Sequence, residues 1–175
     1  YIKECLENGE LDSCISFLNH YKRESIRYSG VAWTGIPEIN FMLNIKVRKM
    51  EEKNIFFKVD SKIEKIPMKD IDFVVLLGNL LDNAIEAAEK SNSKFVQLYL
   101  FSKNAMYDGL LIKNSCDFAP INKDGILKTT KNNKSFHGFG TKSIKNIIKK
   151  YDAIYDWKYD EKSKIFETNI VFSKK

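Results

Sequence analysis

Asn79 and Asn83 stand four residues apart in the run Asn79-Leu80-Leu81-Asp82-Asn83-Ala84-Ile85-Glu86-Ala87. On a helix that spacing puts both carboxamides on one face, with Glu86 and Lys90 roughly along the same stripe. A carboxamide facing inward from a mostly apolar helix is costly unless something hydrogen-bonds to it. Either both amides cap neighbouring strands or face water, or they hold a polar ligand. A second candidate is His137-Gly138-Phe139-Gly140-Thr141-Lys142, directly before a helical pattern. Two glycines at i and i+2 let the backbone approach a ligand, and a helix start offers free N–H groups and a positive dipole end. Thr141 adds a hydroxyl and Lys142 a charge, which together suit a phosphate. Alone, the pattern fits an ordinary turn equally well. Asn114, closing the apolar run Gly109-Leu110-Leu111-Ile112-Lys113, has the chemistry to read a base or simply to end a strand.

The elements that must position these residues follow from periodicity. Residues 1 to 28 read as helices broken at Asn8-Gly9, and residues 28 to 37 as a loop. A helix from about Glu38 to Lys53 carries an apolar face of Ile39, Met42, Leu43, Ile45 and Met50. Residues 54 to 59 have strand character. Asp70 is expected to cap the next helix, with Asp72 in its first turn, where the dipole favours an acid. That helix extends to Glu89 or Lys90, with a stripe of Ile71, Val74, Val75, Gly78, Leu81, Ile85 and Ala88. Strands are expected over 95–101 and 109–113, joined by a turn over 104–108. The pattern then vanishes from Ser115 to Phe136, in a segment holding Lys123, Lys128, Lys131 and Lys134. A loop this long is either functional or a sign of a wrong assignment, and its lysines suit a lid over a polyphosphate. A helix begins after Gly140, and two strands, 153–159 and 164–172, close the chain. Hairpins mixed with helices predict an α/β two-layer sandwich, a mixed sheet covered by helices on one face.

Composition narrows the class. The chain has 175 residues, 43% of them hydrophobic, with 12 Phe and 8 Tyr, which suits one compact domain rather than a disordered tail. The net charge of +6 is mostly Lys, spread along the chain among acidic residues, so no dedicated nucleic-acid surface is expected. Cys5, Cys14 and Cys116 show no metal or redox spacing, which reads as a reduced cytosolic setting. No apolar run approaches a membrane span; the longest, Phe73 to Leu77, stops at Gly78. With no initiator Met and no signal peptide, Tyr1 is expected to begin a fragment of a longer protein.

Taken together and in this order, the motifs resemble the GHKL superfamily of gyrase-type, heat-shock-chaperone, histidine-kinase and mismatch-repair ATPases. NLLDNAIEA (Asn79 to Ala87) resembles the N box and HGFGTKSIKNII (His137 to Ile148) the second glycine box. The likeness is greatest to the histidine kinases that sense peptide pheromones in Gram-positive bacteria, the accessory-gene-regulator type. The segment SGVAWTGIPEINFMLNIKVRKMEEKNI also looks like the stretch before the N box in that group.

The resemblance implies the Bergerat (GHKL) ATP-binding fold with a long ATP lid, binding ATP and Mg²⁺. It implies Asn83 as the Mg²⁺ ligand, consistent with a hard cation that takes oxygen ligands and shares them with phosphates. Asn79 matches the position where hydrolysing members carry a water-activating Glu. A histidine kinase needs no such base, because a neutral imidazole nitrogen is already nucleophilic. Ala87, Asn114, His137, Gly138, Gly140, Thr141 and Lys142 are implied nucleotide contacts, with Asn114 where most members have an adenine-reading Asp. The chain departs from the pattern there: the DxGxG box is replaced by Asn114-Ser115-Cys116-Asp117-Phe118, and Glu86 stands where a Lys is common. Lys90 or a lid lysine is the candidate to compensate.

The phosphoacceptor histidine of the family sits on an upstream dimerisation helix. Neither His20 nor His137 lies in such a motif, so the acceptor is expected outside this chain, with His20 a surface residue. Residues 1–36 then read as a remnant of the dimerisation region and linker, and 37–175 as the catalytic domain. The implied function is a protein-histidine kinase of a two-component system, its phosphoryl group passing to a response regulator. The full-length protein is expected to be a membrane-anchored homodimer with this domain in the cytoplasm. A non-catalytic nucleotide-binding scaffold and a GHKL ATPase are the alternatives.

Overall fold

A computed structural model describes residues 33–63, 65, 68–103, 106–119, 122–123, 126–127 and 138–174. The expected N-terminal helices, His20, Cys5, Cys14 and His137 lie outside the described residues. Residues 33–175 cluster as one compact unit.

Helix α1 (Pro37–Glu52) starts with Pro in its first turn, where the missing N–H costs nothing. Ahead of it, the Asn40 carboxamide accepts from the Thr34 N–H at 2.7 Å and donates to the Thr34 carbonyl at 2.8 Å. The helix ends without glycine. Asn54 adopts φ 56° and the Ile55 N–H returns to the Met50 carbonyl at 2.8 Å, a left-handed stop that Asn tolerates better than most residues. Ile39, Met42, Leu43 and Met50 are buried as expected, but Ile45 is 43% exposed.

Strand β1 (Phe56–Ser61) leads into α2 (Asp70–Glu89), which returns the chain to β2 (Phe95–Lys103), parallel to β1. Strand β3 (Tyr107–Ser115) pairs antiparallel to β2. Two-residue strands β4 (Asn122–Lys123) and β5 (Ile126–Leu127) form a separate pair inside the expected loop. Helix α3 (Gly138–Lys150) and strands β6 (Ile154–Asp160) and β7 (Ile165–Ser173) complete the chain. The main sheet has the order β1-β2-β3-β7-β6, mixed in direction, so the expected two-layer α/β arrangement is what forms.

Pairing fixes which residues share a face. Val96, Leu98 and Leu100 of β2 oppose Asn114, Ile112 and Leu110 of β3, and these oppose Phe166, Thr168 and Ile170 of β7. That face is the core side, because its Leu and Ile members are at most 1% exposed. On the other face Lys113, Glu167 and Lys158 form a row, with Glu167 held at 2.7 and 3.0 Å between the two ammonium groups. Burial raises the Glu167 carboxyl, but the two lysines outweigh it and hold it below the usual range. Gly109 on the same face has the Phe101 ring lying across it. A Cβ there would come within 2.5 Å of that ring and 2.8 Å of the Ile170 carbonyl oxygen.

Helix α2 departs from its expected orientation. Its buried residues are Phe73, Leu76, Leu77, Leu80, Leu81, Ala84, Ile85 and Ala88, whereas Ile71 and Val75 are 67% and 39% exposed. The helix begins after Lys69 with no side-chain cap, so Asp70 is its first helical residue rather than the cap. Helix α1 runs parallel to it: Lys46 binds Asp82 at 2.8 Å and Lys53 binds Glu89, both at a separation of 36 residues. Helix α3 runs antiparallel, since its end meets the start of α2. There Asp72 accepts from the Lys150 Nζ at 2.7 Å and the Tyr151 hydroxyl at 2.5 Å.

Those two donors hold the Asp72 carboxyl below its ordinary value of 3.8. A carboxyl depressed in the folded state contributes stability above its unfolded value and loses it as pH falls through the folded one. Asp72→Asn is therefore expected to melt lower than the wild type at neutral pH, with the difference shrinking below pH 3.8. Thermal melts of both proteins across that range check this. A difference that does not change with pH would show that the charge of Asp72 is not what the clamp uses.

Candidate functional site

Two of the three sequence motifs meet directly. Gly140 lies in the first turn of α3, where a Cβ would stand 3.0 Å from the Asn79 Oδ1. Glycine lets the α3 backbone sit this close without pushing the Asn79 amide aside. The Asn79 Nδ2 donates to the Val75 carbonyl at 2.8 Å, which fixes the amide with its oxygen toward α3. The expected helix start after Gly140 is thus three residues late. Gly138 and Gly140 are inside the first turn, whose N–H groups have no partner within the helix. Half-exposed Asn79 and exposed Asn83 follow each other along α2, so neither amide caps a strand. Lys142 is exposed. Thr141 belongs to α3, but its side chain, like His137, is outside the described residues.

Asn114 approaches from the sheet. It is 3% exposed at the end of β3, on the face toward α2. Its Nδ2 donates to the Ser115 carbonyl at 2.9 Å, and among the described residues nothing donates to its Oδ1. A carbonyl oxygen left open in this way is an acceptor for an amino group. Ala87 is half-buried one turn past Asn83.

Asp117 holds these pieces in register. Its Oδ1 accepts from the Ser91 hydroxyl at 2.6 Å, and its Oδ2 from the Asn92 N–H and Nδ2 at 2.9 and 2.8 Å. The hydroxyl of Ser91, then the N–H of Asn92, hold its carboxyl below the usual range. The end of α2, about two turns past Asn83, is thereby tied to the exit of β3 just past Asn114. Sequence reasoning passed over Asp117; its acidic character within a polar exit from the strand was the available signal.

Helix lengths set which part of the inner face is covered. Helix α3 starts beside Asn79 and runs back toward Asp72, so its Ile144 and Ile147 join the core with Ile170 and Phe172. Past its start, the inner face at Phe166, Trp157 and Tyr159 is only half-buried. Among the described residues no helix covers that end beside the second half of α2. Thr168, 7% exposed on the same face, is a polar wall residue that the sequence did not flag. The start of α3 thus stands beside Asn79, one turn before Asn83 on α2, while Asn114 closes β3 on the inner face. Lys90 is paired with Glu86 at 3.3 Å, which disfavours it as a replacement phosphate contact.

Mg²⁺ suits this arrangement. It needs few protein oxygens, and the exposed Asn83 amide lies one helical turn beyond the close approach of Gly140 to Asn79.

Comparisons with known proteins agree with the architecture. A family model described as "GHKL domain" matches residues 68–173, more than half of the chain. Among solved structures, the nucleotide-free catalytic domain of histidine kinase ThkA superposes with a TM-score of 0.60 at 18% identity, covering 78% of this chain and 90% of that one. A mycobacterial sensor histidine kinase, MprB, gives 0.58 at 14% identity, covering 77% and 95%. The Acinetobacter baumannii histidine kinase AdeS gives 0.59 at 15% identity, covering 95% and 83%. At these identities the likeness is one of fold. No curated protein matches the chain. The match over residues 68–173, which takes in Asn79, Asn83, Asn114 and the start of α3, shows that the chain belongs to the GHKL domain family.

Proposed function

We propose that this chain is the ATP-binding catalytic domain of a sensor histidine kinase. The observation that carries the reading is the approach of Gly140 to the Asn79 amide, which sets a helix N-terminus against the N-box face. Asn83 would supply a carboxamide oxygen to Mg²⁺, and the first turn of α3 would face the phosphates. Bound Mg²⁺ would neutralise charge on the phosphate oxygens. Asn114 would accept from the adenine amino group through its open Oδ1.

In the reaction, a neutral imidazole nitrogen of an upstream histidine forms a P–N bond as the bond from the γ-phosphorus to the ADP oxygen breaks. The imidazole proton passes to solvent. Asn79 in place of an acid leaves no water-activating base at that position, which favours transfer over hydrolysis. A response regulator would receive the phosphoryl group. The pheromone-sensing subtype, a Gram-positive source, a homodimer, and a cytoplasmic domain attached to a membrane sensor all rest on the motif resemblance. So does the division of the chain into a dimerisation remnant over 1–36 and a catalytic domain over 37–175. Among the described residues no helix is long and apolar enough to cross a membrane.

The uncharged Asn114 favours a second reading, a nucleotide-binding scaffold without transfer. Mixing the domain with a longer chain carrying the upstream helix, in labelled Mg·ATP, separates the two. Acid-labile phosphate on the longer chain is expected from the wild type. Binding without transfer would leave the scaffold, and steady phosphate release by the domain alone would indicate an ATPase.

A further inference from the structure

Strand β6 forms one edge of the main sheet, paired on one side only, with β7. Ladder parity says which of its backbone groups are left over. The Cys116 N–H donates to the Lys164 carbonyl at 2.8 Å, so hydrogen-bonded and non-bonded pairs alternate along β3 and β7 from that point. Phe166, Thr168 and Ile170 therefore bond toward β3, and Glu167, Asn169 and Val171 toward β6. Their partners Lys158, Asp156 and Ile154 are satisfied inward. The N–H and C=O groups of Tyr155, Trp157 and Tyr159 are left on the free edge. Among the described residues, only the Trp157 N–H has a partner there, the Asp156 Oδ1 at 2.8 Å. An open edge is a template for another strand.

We infer that this edge pairs with the same edge of a second copy of the chain, antiparallel and two-fold, with the two Trp157 residues opposite each other. Charge complementarity fixes both the occupant and the register. Centred on Trp157, all seven residues of β6 pair, and Asp156 stands opposite the partner's Lys158 on both sides of the axis. These are non-hydrogen-bonded positions, where opposed side chains are closest. Moving the centre by one residue either way sets Asp156 against Asp156 or Lys158 against Lys158, which like charges disfavour. On the inner face Tyr155, 38% exposed, then packs against the partner's Tyr159. Both charges are available for the exchange. The Trp157 N–H passes from Asp156 to the partner's Trp157 carbonyl, which frees the carboxylate. Lys158, its side chain 74% exposed, can leave Glu167, which Lys113 still holds at 2.7 Å. The contact lies within residues 154–160, apart from the dimerisation region expected upstream, and it does not depend on nucleotide binding. Seven residues a side is a small contact, so the dimer is weak, with a Kd on the order of 10⁻⁴ M.

The test is sedimentation of the 175-residue chain over a range of concentrations, beside Asp156→Lys and Lys158→Asp. The wild type is expected to self-associate reversibly. Each variant alone opposes like charges and is expected to associate about tenfold more weakly, the reversal of two cross-strand pairs. An equimolar mixture of the two variants opposes unlike charges at both positions, and is expected to associate as tightly as the wild type. Amide exchange of the wild type gives a second reading that needs no variant. The Tyr155 and Tyr159 amides are expected to exchange fast in dilute solution and to slow on concentration, while those of Asp156 and Lys158 stay slow throughout. A wild type that stays monomeric at roughly 10⁻³ M overturns the inference. So does self-association that Asp156→Lys leaves unchanged, since another surface would then carry it. A mixture of folded variants that associates no more tightly than either alone overturns the register. Exchange at Tyr155 and Tyr159 that does not respond to concentration overturns the pairing itself.

Discussion

Asn83→Ala is expected to abolish Mg²⁺-dependent binding of an ATP analogue and to lower phosphoryl transfer by about 10²- to 10³-fold, the range for loss of one preorganised polar group at a charged transition state. The reason is geometric. Asn83 is exposed and lies one turn past Asn79, whose amide is already turned toward Gly140 by its bond to the Val75 carbonyl. Removing the Asn83 amide takes away the proposed protein oxygen for the metal and leaves the rest of the site intact. Because the side chain is exposed, melting without nucleotide should stay within about 0.5 kcal/mol of the wild type. Titration calorimetry with and without Mg²⁺, beside melting curves, checks both parts. An Asn83→Ala protein that still binds the analogue in a Mg²⁺-dependent way would remove Asn83 from the metal site.

The same helix shows what the sequence could and could not reveal. Its existence was legible, since apolar residues recur at helical spacing from Phe73 to Ala88 and acids occupy the first turn. That Asn79 and Asn83 share a face is pure periodicity. That Asn79 meets Gly140 is not, because the two are joined only by tertiary packing of α3 against α2. The sheet face of Asn114, and with it Thr168 and Tyr159, comes from strand register, which pairs β7 with both β3 and β6. Alternation along each strand is visible in sequence, but the alignment between strands is not. The short ends failed for a local reason: Asp70 and Gly140 have the residue types of boundaries, yet the helices begin at Asp70 itself and at Gly138.

Leu77→Ala is expected to destabilise the fold by about 2–5 kcal/mol, while Ile71→Ala on the same helix stays within about 0.5 kcal/mol. The contrast runs against the sequence reading, which put Ile71 on the apolar stripe and passed over Leu77. Leu77 is fully buried, whereas Ile71 is 67% exposed. The physical cause is that α2 is contacted from three sides: by α1 through Lys46 and Lys53, by the sheet, and by α3 through Asp72. A helix wrapped on three sides buries a wide arc, so a narrow stripe chosen for one covered face points partly to solvent. Truncating Leu77 leaves a cavity that the surrounding core, whose members Leu81 and Leu98 are also fully buried, can fill only in part. Urea unfolding of the two variants measures the difference directly, since the slope should match the wild type and only the midpoint should move. Equal costs at positions 71 and 77 would mean that the outward face of α2 is covered in the folded protein, and that its buried arc extends past Ile71.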